Sequence, residues 1–434
     1  MIKIETNLKK TNIPWIPEIP SNWDLKRIKL LFDFNKNIVG KSSADYSVLS
    51  LTTKGVIRRD LESGMGKFPA SFDGYQIVNP NSIMLCLFDM DVTPRVVGHV
   101  NDKGIISAAY TNIIPRKGIN SKYYYYYFLL QDKNKIFLAL GTGIRITLSK
   151  DVFGCLKIPV PPLEIQNRIV EYLDKKNSEI DKFIQNKDRL IELLEEEKQS
   201  EIERCISFGL NSNCKLIFGR KEIPRYPSHW HLKKTKHLFS IFNGYAFSTD
   251  LFISEGVQVL KISSLYQNKL SLDRQPTFVD RKYLKKLNQF IVSKGDILLS
   301  LTGTLGKKDY GYAVQLKTDD VYLLNQRVAK LIPKPIINSD FLLYLLRNDI
   351  FLNQLYMSPC GTKQANLSNS DLLSIHIAIP EIEEQKQIAN HLNKTIVKFD
   401  LAISKAQNEI AATKEYREAL ITDLVTGKRS IPQT

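Results

Sequence analysis

At 434 residues, with 43% apolar side chains and a formal net charge of +16, the chain is too long for one ordinary domain and apolar enough for real cores. No run of about 18 apolar residues is present to span a membrane, and the opening MIKIETNLKK carries no apolar leader, so a cytoplasmic protein is expected. Five scattered cysteines (Cys86, Cys155, Cys205, Cys214 and Cys360) form no Cys-x-x-Cys pair, which argues against both a zinc site and a disulfide framework.

In chain order, the first landmark is residues 19–32, IPSNWDLKRIKLLF, which return at 226–239 as YPSHWHLKKTKHLF with eight of the fourteen positions identical. The chain therefore reads as a duplicated unit. Identity fades after Phe32. The first copy has 80 residues from 33 to 112 where the second has 91 from 240 to 330, and nearly all of the length difference between the copies falls there. Two readings compete. Each copy presents its own loops to its own target, since loops tolerate change while the elements holding them do not, or surface loops have drifted on a structural repeat. Within this stretch, the runs Ile83-Met84-Leu85-Cys86-Leu87-Phe88 and, in the second copy, Ile291-Val292 and Ile297-Leu298-Leu299 are bounded by Gly, Pro, Asn and Asp, as strands are.

The second landmark, Ile113-Ile-Pro-Arg116 with Ile119-Asn-Ser121, recurs as Leu331-Ile-Pro-Lys334 with Ile337-Asn-Ser339. Each Asn-Ser predicts a cap, for helices over Lys122 to Leu130 and Asp340 to Arg347. Tyrosines 123 to 127 lie on the first of these. Stacking on bases is one use of such a run; the second copy has Phe341, Leu342, Leu343, Tyr344 and Leu345 there, which favours a core helix.

The third landmark pairs Leu148-Ser149, Pro161, Glu164, Gln166, Ile169, Leu173 and Asp181 with Leu367-Ser368, Pro380, Glu383, Gln385, Ile388, Leu392 and Asp400. Prolines close the globular part of each copy and permit the first turn of a long helix, over 164–206 and 382–424. Spacings of three and four place one apolar stripe on each. The first passes through Ile165, Ile169, Tyr172, Lys176, Ile180, Phe183, Lys187, Leu190 and Leu194, the second through Ile388, Leu392, Thr395, Phe399, Ala402, Ala406 and Ile410. Each stripe needs a partner, and the simplest is the other helix. The first helix would be about 64 Å long at 1.5 Å per residue, a rod able to hold two domains one or two turns of DNA apart. A plain stabilising helix pair would not need that length.

Charge is unevenly spread. Residues 164–204 carry a balance of −4 and residues 381–420 one of −1, so the remainder carries +21. Basic charge concentrated in the repeated globular parts suits a nucleic-acid footprint, the plain alternative being a generally basic background.

Catalytic motifs are missing. There is no Asp- or Asn-Pro-Pro-Tyr/Phe tetrapeptide of the kind an adenine methyltransferase uses on its flipped base. Gly141-Thr-Gly143 is a loop signal. Gly303-Thr-Leu-Gly306-Lys307-Lys308 has two residues between its glycines where a phosphate loop has four. Glu196-Glu197-Lys198 looks like a nuclease fragment but falls on the solvated face of the long helix. The six histidines form no HExxH, and His229 and His231, flanking Trp230, suit surface or packing roles.

Taken jointly, these segments resemble the specificity subunit of type I restriction-modification systems over essentially the whole chain. Glu18-Ile-Pro-Ser-Asn-Trp23 and Arg225-Tyr-Pro-Ser-His-Trp230 are similar to the motif that opens each target-recognition domain. Lys294-Gly-Asp-Ile-Leu-Leu-Ser-Leu-Thr-Gly-Thr-Leu-Gly306-Lys307, Leu324-Asn-Gln-Arg327 and Gly361-Thr-Lys-Gln-Ala-Asn-Leu-Ser368 resemble the body of such a domain. Pro161-Pro-Leu-Glu-Ile-Gln166 and Pro380-Glu-Ile-Glu-Glu-Gln385 resemble the start of its spacer helices, and Ala419-Leu-Ile-Thr-Asp-Leu-Val-Thr-Gly427-Lys428 its C-terminal end. The first copy lacks the Gly-Asp-Ile-Leu and Asn-Gln-Arg signatures. It has Leu87-Phe-Asp89, Gly104-Ile-Ile-Ser-Ala-Ala-Tyr110 and Gly143-Ile-Arg145 instead, which look like another branch of recognition domain.

The resemblance implies an α+β, mixed fold with two target-recognition domains joined by two long helices in an antiparallel coiled coil, related by an internal pseudo-two-fold repeat. The expected boundaries are 1–162, 163–208 for the central spacer helix, 209–379, 380–428 for the C-terminal spacer helix and a 429–434 tail. Expected partners are double-stranded DNA, two modification subunits carrying the S-adenosylmethionine site, and restriction subunits using ATP and Mg. The chain itself is expected to hold no cofactor, no metal and no active site. Its target is expected to be asymmetric and bipartite, one half-site per domain. Major-groove edges distinguish bases, and Arg, Gln and Asn contact guanine and adenine bidentately. Arg95 and Arg145 in the first domain, and Gln326, Arg327, Lys363, Gln364 and Asn366 in the second, are therefore the candidates for base contact. Lys54, Arg58, Arg59, Lys307 and Lys308 are the candidates for phosphates. Two rivals remain: a two-headed scaffold for acidic proteins, and a self-sufficient methyltransferase, which the missing tetrapeptide disfavours.

Overall fold

In a computed structural model, the described residues are 7–61, 69–211, 213–357 and 364–431, the side chain of Gln364 excepted. The chain divides into two compact units, Met1–Asp188 with Gln407–Thr434, and Arg189–Ala406.

In the first unit an antiparallel four-stranded sheet runs in the order Phe32–Asn35, Thr111–Pro115, Ile83–Leu85, Val97–His99. Side chains alternate between the two faces of a strand. Ile83 and Leu85 accordingly join one core with Phe32, Ile113 and the tyrosine helix, while Met84 joins another with Leu49, Val78 and Ile106. Burial on both faces explains why this strand reads as an unbroken apolar run. Beneath Met84, Leu49–Thr52 turns back into Gly55–Arg58, Gly104–Ile106 pairs with Gln76–Val78, and a parallel bridge from Val48 to Ile105 links the two pairs.

The second unit repeats the strand order with other residues. Its main sheet is Phe239–Asn243, Val328–Pro333, Ile297–Ser300, Ala313–Gln315. Ile297 and Leu299 face one core and Leu298 the other. Its second sheet runs Phe278–Val279, Val257–Leu260, Tyr322–Leu324, Ile291–Val292, with Val257–Leu260 parallel to Tyr322–Leu324. The centre that has diverged in sequence has therefore kept its topology.

Each repeated landmark has a structural task. Asp24–Arg27 pairs with Lys157–Val160, and His231–Lys234 pairs with His376–Ile379, so the first landmark closes onto the strand that leads into each long helix. The helices are Leu163–Phe208 and Ile382–Val425. Each ends one or two residues before a left-handed glycine, Gly209 (φ +77°) and Gly427 (φ +75°), as helix termini commonly do. Trp230 lies against Gly209 and Trp23 against Gly427. Asn120 and Asn338 cap the helices Ser121–Lys133 and Ser339–Leu346. The amide nitrogens of these two caps donate to Gln166 Oε1 at 2.8 Å and Gln385 Oε1 at 2.9 Å. The duplicated glutamines thus fasten each cap to a long helix.

Tyr123, Tyr124, Tyr126 and Tyr127 are buried, Tyr123 donating to Val425 O at 2.8 Å. The tyrosine run is core. Within each unit a stretch of one long helix runs antiparallel to a stretch of the other. Asp181 pairs with Arg417 and Lys187 with Glu409 in the first unit; Lys198 pairs with Asp400 and Glu201 with His391 in the second. The stripes differ from expectation by one position in places. Ile184 and Ile191 are half-buried while Phe183 and Leu190 are exposed, and Ile403 is buried while Ala402 is exposed. A spacing of three can be exchanged for one of four wherever apolar residues are adjacent. Among the described residues, no helix is long and apolar enough to cross a membrane.

Candidate nucleic-acid interface

In the first unit Arg145 stands on a turn closed by reciprocal backbone hydrogen bonds between Thr142 and Thr147, each 3.0 Å, with Gly143 at φ +90°. Its side chain is 84% exposed, and its Nε lies 3.9 Å from Asp89 Oδ1. A single loose carboxylate leaves the guanidinium fork available to other acceptors. Ile144 beside it, within the Gly143-Ile-Arg145 segment, is a fully exposed apolar tip. The turn is tied to the main sheet: Leu148 N donates to Leu87 O at 2.8 Å and Met90 N to Ile146 O at 3.1 Å.

The second unit uses the same place in its frame. Leu367 N donates to Leu301 O at 2.9 Å, and the residues just before Leu367 form the strand Gln364–Asn366, paired with Thr302–Thr304. Arg327 Nη1 donates to Asn366 Oδ1 at 3.2 Å, so these two candidates are brought together, both exposed. Gln326 is exposed beside them, its backbone N–H held by Tyr245 O at 2.9 Å. Lys363 lies outside the described residues. Gln364 is placed by its backbone opposite Thr304.

The phosphate candidates occupy separate places. Lys307 and Lys308 are exposed and pair with no carboxylate among the described residues. Their loop is braced by Tyr356, whose hydroxyl donates to Lys308 O at 3.3 Å and Tyr310 O at 3.2 Å. Arg58 and Arg59 line a cavity of about 530 Å³ with Asp45, Tyr46 and Asp60. Lys54 and Arg95 line another of about 760 Å³, with Tyr125 and Asp132. Arg95 is half-buried, unlike Arg145. Asp132 accepts from Val96 N at 2.9 Å, and burial raises its carboxyl above the ordinary range.

One cluster unites a carboxylate, a thiol and an imidazole: Glu201, Cys205 and His391 lie within 4.8 Å of one another. No sequence spacing pointed to it, because His391 sits on a different helix. Its centre is taken by Arg204, which donates to Glu201 Oε2 at 2.9 Å and Oε1 at 2.8 Å and reaches Cys205 Sγ at 3.2 Å. Those bonds hold the Glu201 carboxyl down at about 2. Burial pushes the Cys205 thiol up to about 12. Arg204 and His391 both engage Glu201, so the cluster is a polar network across the helix pair. His229 and His231 pair with Glu384 and Glu381 at 2.9 and 3.1 Å on the surface.

Comparison with known proteins gives a consistent result. A model described as type I restriction modification DNA specificity domain matches residues 96–204 and 227–412. The MjaVIII specificity subunit, of a type I restriction enzyme from Methanocaldococcus jannaschii, is 30% identical over 423 residues, 94% of this chain and 93% of that protein. The EcoBI specificity subunit of Escherichia coli is 20% identical over 289 residues, covering 62% and 58% of the two chains. In fold, a chain of a type I restriction-modification complex superposes with a TM-score of 0.70 at 14% identity, over 95% of this chain and 99% of its own. The HsdS subunit of Thermoanaerobacter tengcongensis superposes with a TM-score of 0.58 at 15% identity, over 95% and 98%.

Proposed function

The chain belongs to the family of type I restriction-modification DNA specificity proteins, and from that premise we propose that it is the specificity subunit of such a system, reading an asymmetric bipartite DNA target with one half-site per unit. The observation that carries this is the pairing of matched frames with unmatched tips. The segments just before Leu148 and Leu367 present Arg145 in one unit and Asn366 in the other, where Arg327 from a separate turn joins Asn366. Two identical heads would suit a palindrome; two unlike heads suit two unlike half-sites. Arg and Asn forks supply base discrimination, and the lysines on neighbouring loops supply the sequence-independent attraction of phosphates.

The subunit acts by delivering others. Modification subunits bring S-adenosylmethionine, restriction subunits bring nuclease and ATP-driven translocation, and this chain supplies the address in the cytoplasm without chemistry of its own. Methylation-aware sequencing of DNA exposed to the assembled modification complex tests the reading. One bipartite motif is expected, its first half changing when residues 23–161 are exchanged for those of a relative. Methyl transfer by the isolated chain, or indifference between one sequence and its scrambled counterpart, would overturn it, the second result favouring a two-headed scaffold.

A further inference from the structure

The second unit is the longer one, and the structure locates its surplus. In the first unit Leu49–Thr52 and Gly55–Arg58 are joined by residues 53–54 alone. The equivalent strands Val257–Leu260 and Phe278–Val279 are joined by residues 261–277. This insertion folds into a small hairpin, Leu265–Tyr266 with Lys269–Leu270, turning through Gln267 (φ +49°) and Asn268 (φ +60°). A tight hairpin with two left-handed central residues is a type I′ turn.

The hairpin is anchored from below. Arg347 is mostly buried and donates to Asn268 O at 3.0 Å and Ala313 O at 2.7 Å, while Asn268 Oδ1 accepts from Ala313 N at 2.9 Å. The rest of the insertion is pinned as well: Gln258 Nε2 donates to Leu272 O at 2.6 Å and Ser271 N to Ser264 O at 2.9 Å. On this scaffold the guanidinium of Arg274 lies 3.7 Å from the centroid of the Tyr266 ring. Arg274 is exposed and pairs with no carboxylate among the described residues. Beside it opens a cleft of about 760 Å³, lined by Lys261, Ser263, Thr302 and Thr304 among others. The Ser263 hydroxyl there is buried without a partner among the described residues. Thr302–Thr304, one wall of the cleft, is the strand paired with Gln364–Asn366.

We propose that Arg274, held over the Tyr266 ring, is a specificity-determining residue that reads a base in the half-site of the second unit. The inference rests on the DNA-reading function proposed above and adds a residue to it. A phosphate is satisfied by any nearby cation, whereas a base edge requires the planar fork in a set orientation, which is what stacking on an anchored ring provides. A cation that pairs with no carboxylate among the described residues, Asp309 of the same cleft accepting from Thr304 N, is preorganised on its fastened insertion for an acceptor that arrives from outside. Because the first unit has no insertion here, the effect belongs to one half-site only.

The test is a binding selection from a library randomised across both half-sites, using the full chain assembled with its modification subunits. Arg274→Lys and Arg274→Ala are both expected to lose about ten- to a hundredfold discrimination at one base pair of one half-site, with the other half-site and the salt dependence unchanged. Tyr266→Phe, which keeps the platform, should retain discrimination, and Tyr266→Ala should lose part of it at the same base pair. Equal weakening on every sequence with a shallower salt dependence would make Arg274 a phosphate contact and overturn the proposal. So would no change in either Arg274 variant, or blurring of both half-sites. Absence of any selected sequence with the unsubstituted complex would overturn the DNA-reading function first, and is visible before any variant is made.

Discussion

Replacing Gln385 by alanine removes three hydrogen bonds from the interior of the second unit. The side chain is fully buried. Its Oε1 accepts from Asn338 N at 2.9 Å, and its Nε2 donates to Ile336 O at 3.0 Å and Pro380 O at 2.9 Å. Each lost bond costs about 1 kcal/mol, and stranded backbone groups and the cavity add to it, so Gln385→Ala should destabilise by about 3 to 5 kcal/mol. Gln166 makes two bonds of this kind, to Asn120 N and Pro161 O, both 2.8 Å. Gln166→Ala should therefore cost about 1 kcal/mol less. A chain of two units need not unfold in one step, so the assay is hydrogen exchange read peptide by peptide. Amides of residues 336–346 should exchange about a hundred- to a few thousandfold faster in Gln385→Ala, with peptides of the first unit unchanged. Gln385→Glu should be at least as damaging, because it aims a carboxylate at two carbonyls. Unaltered exchange over 336–346 in Gln385→Ala, or native behaviour of Gln385→Glu, would refute the assignment of this side chain as the fastener of the cap.

Three further outcomes are expected. Arg145→Ala should relax preference at one position of the first half-site at a cost of about 1 to 3 kcal/mol; a uniform loss of affinity, or blurring of the second half-site, would remove this arginine from base reading. Lys307→Ala should weaken all sequences alike and reduce the slope of log affinity against log salt by about 0.9, measured by titration at several salt concentrations. The Glu201 carboxyl is held near 2 in the folded protein, mainly by Arg204, against an ordinary 4.5. A depressed folded value means stability that is present above the ordinary value and lost as the pH falls from 4.5 towards 2, so Glu201→Gln should flatten that acid limb in denaturation profiles.

The duplicated frame was legible because each repeated residue has a task that few others can perform. Trp23 and Trp230 fill the space over a glycine, Gln166 and Gln385 each satisfy a cap and a carbonyl at once, and Ser149 and Ser368 cap short helices. Other features left no such trace. Strand order in the divergent centres depends on which positions are apolar on which face, so Leu49–Thr52 and Val257–Leu260 correspond without identity. The cluster around Glu201 joins two helices far apart in sequence. Arg274 is one exposed arginine in a basic chain, and its distinction lies in Tyr266, eight positions earlier across a hairpin that local patterning did not reveal.

The competing explanation of the divergent centres, drift of surface loops, makes a different demand on where differences fall. Drift would scatter changes over exposed positions without regard to the frame. Instead residues 53–54 and 261–277 join equivalent strands of equivalent sheets, and 142–147 and the strand Gln364–Asn366 each end at the matching leucines, Leu148 and Leu367. The longer of the joining segments is braced by the mostly buried Arg347, whose desolvation lowers its own pKa and whose guanidinium ties Asn268 O of the inserted turn to Ala313 O of the neighbouring strand. Burying an arginine is costly unless its donors are satisfied. A loop held by such an investment is a built element, and a built element on one head alone is what separate reading of two half-sites requires.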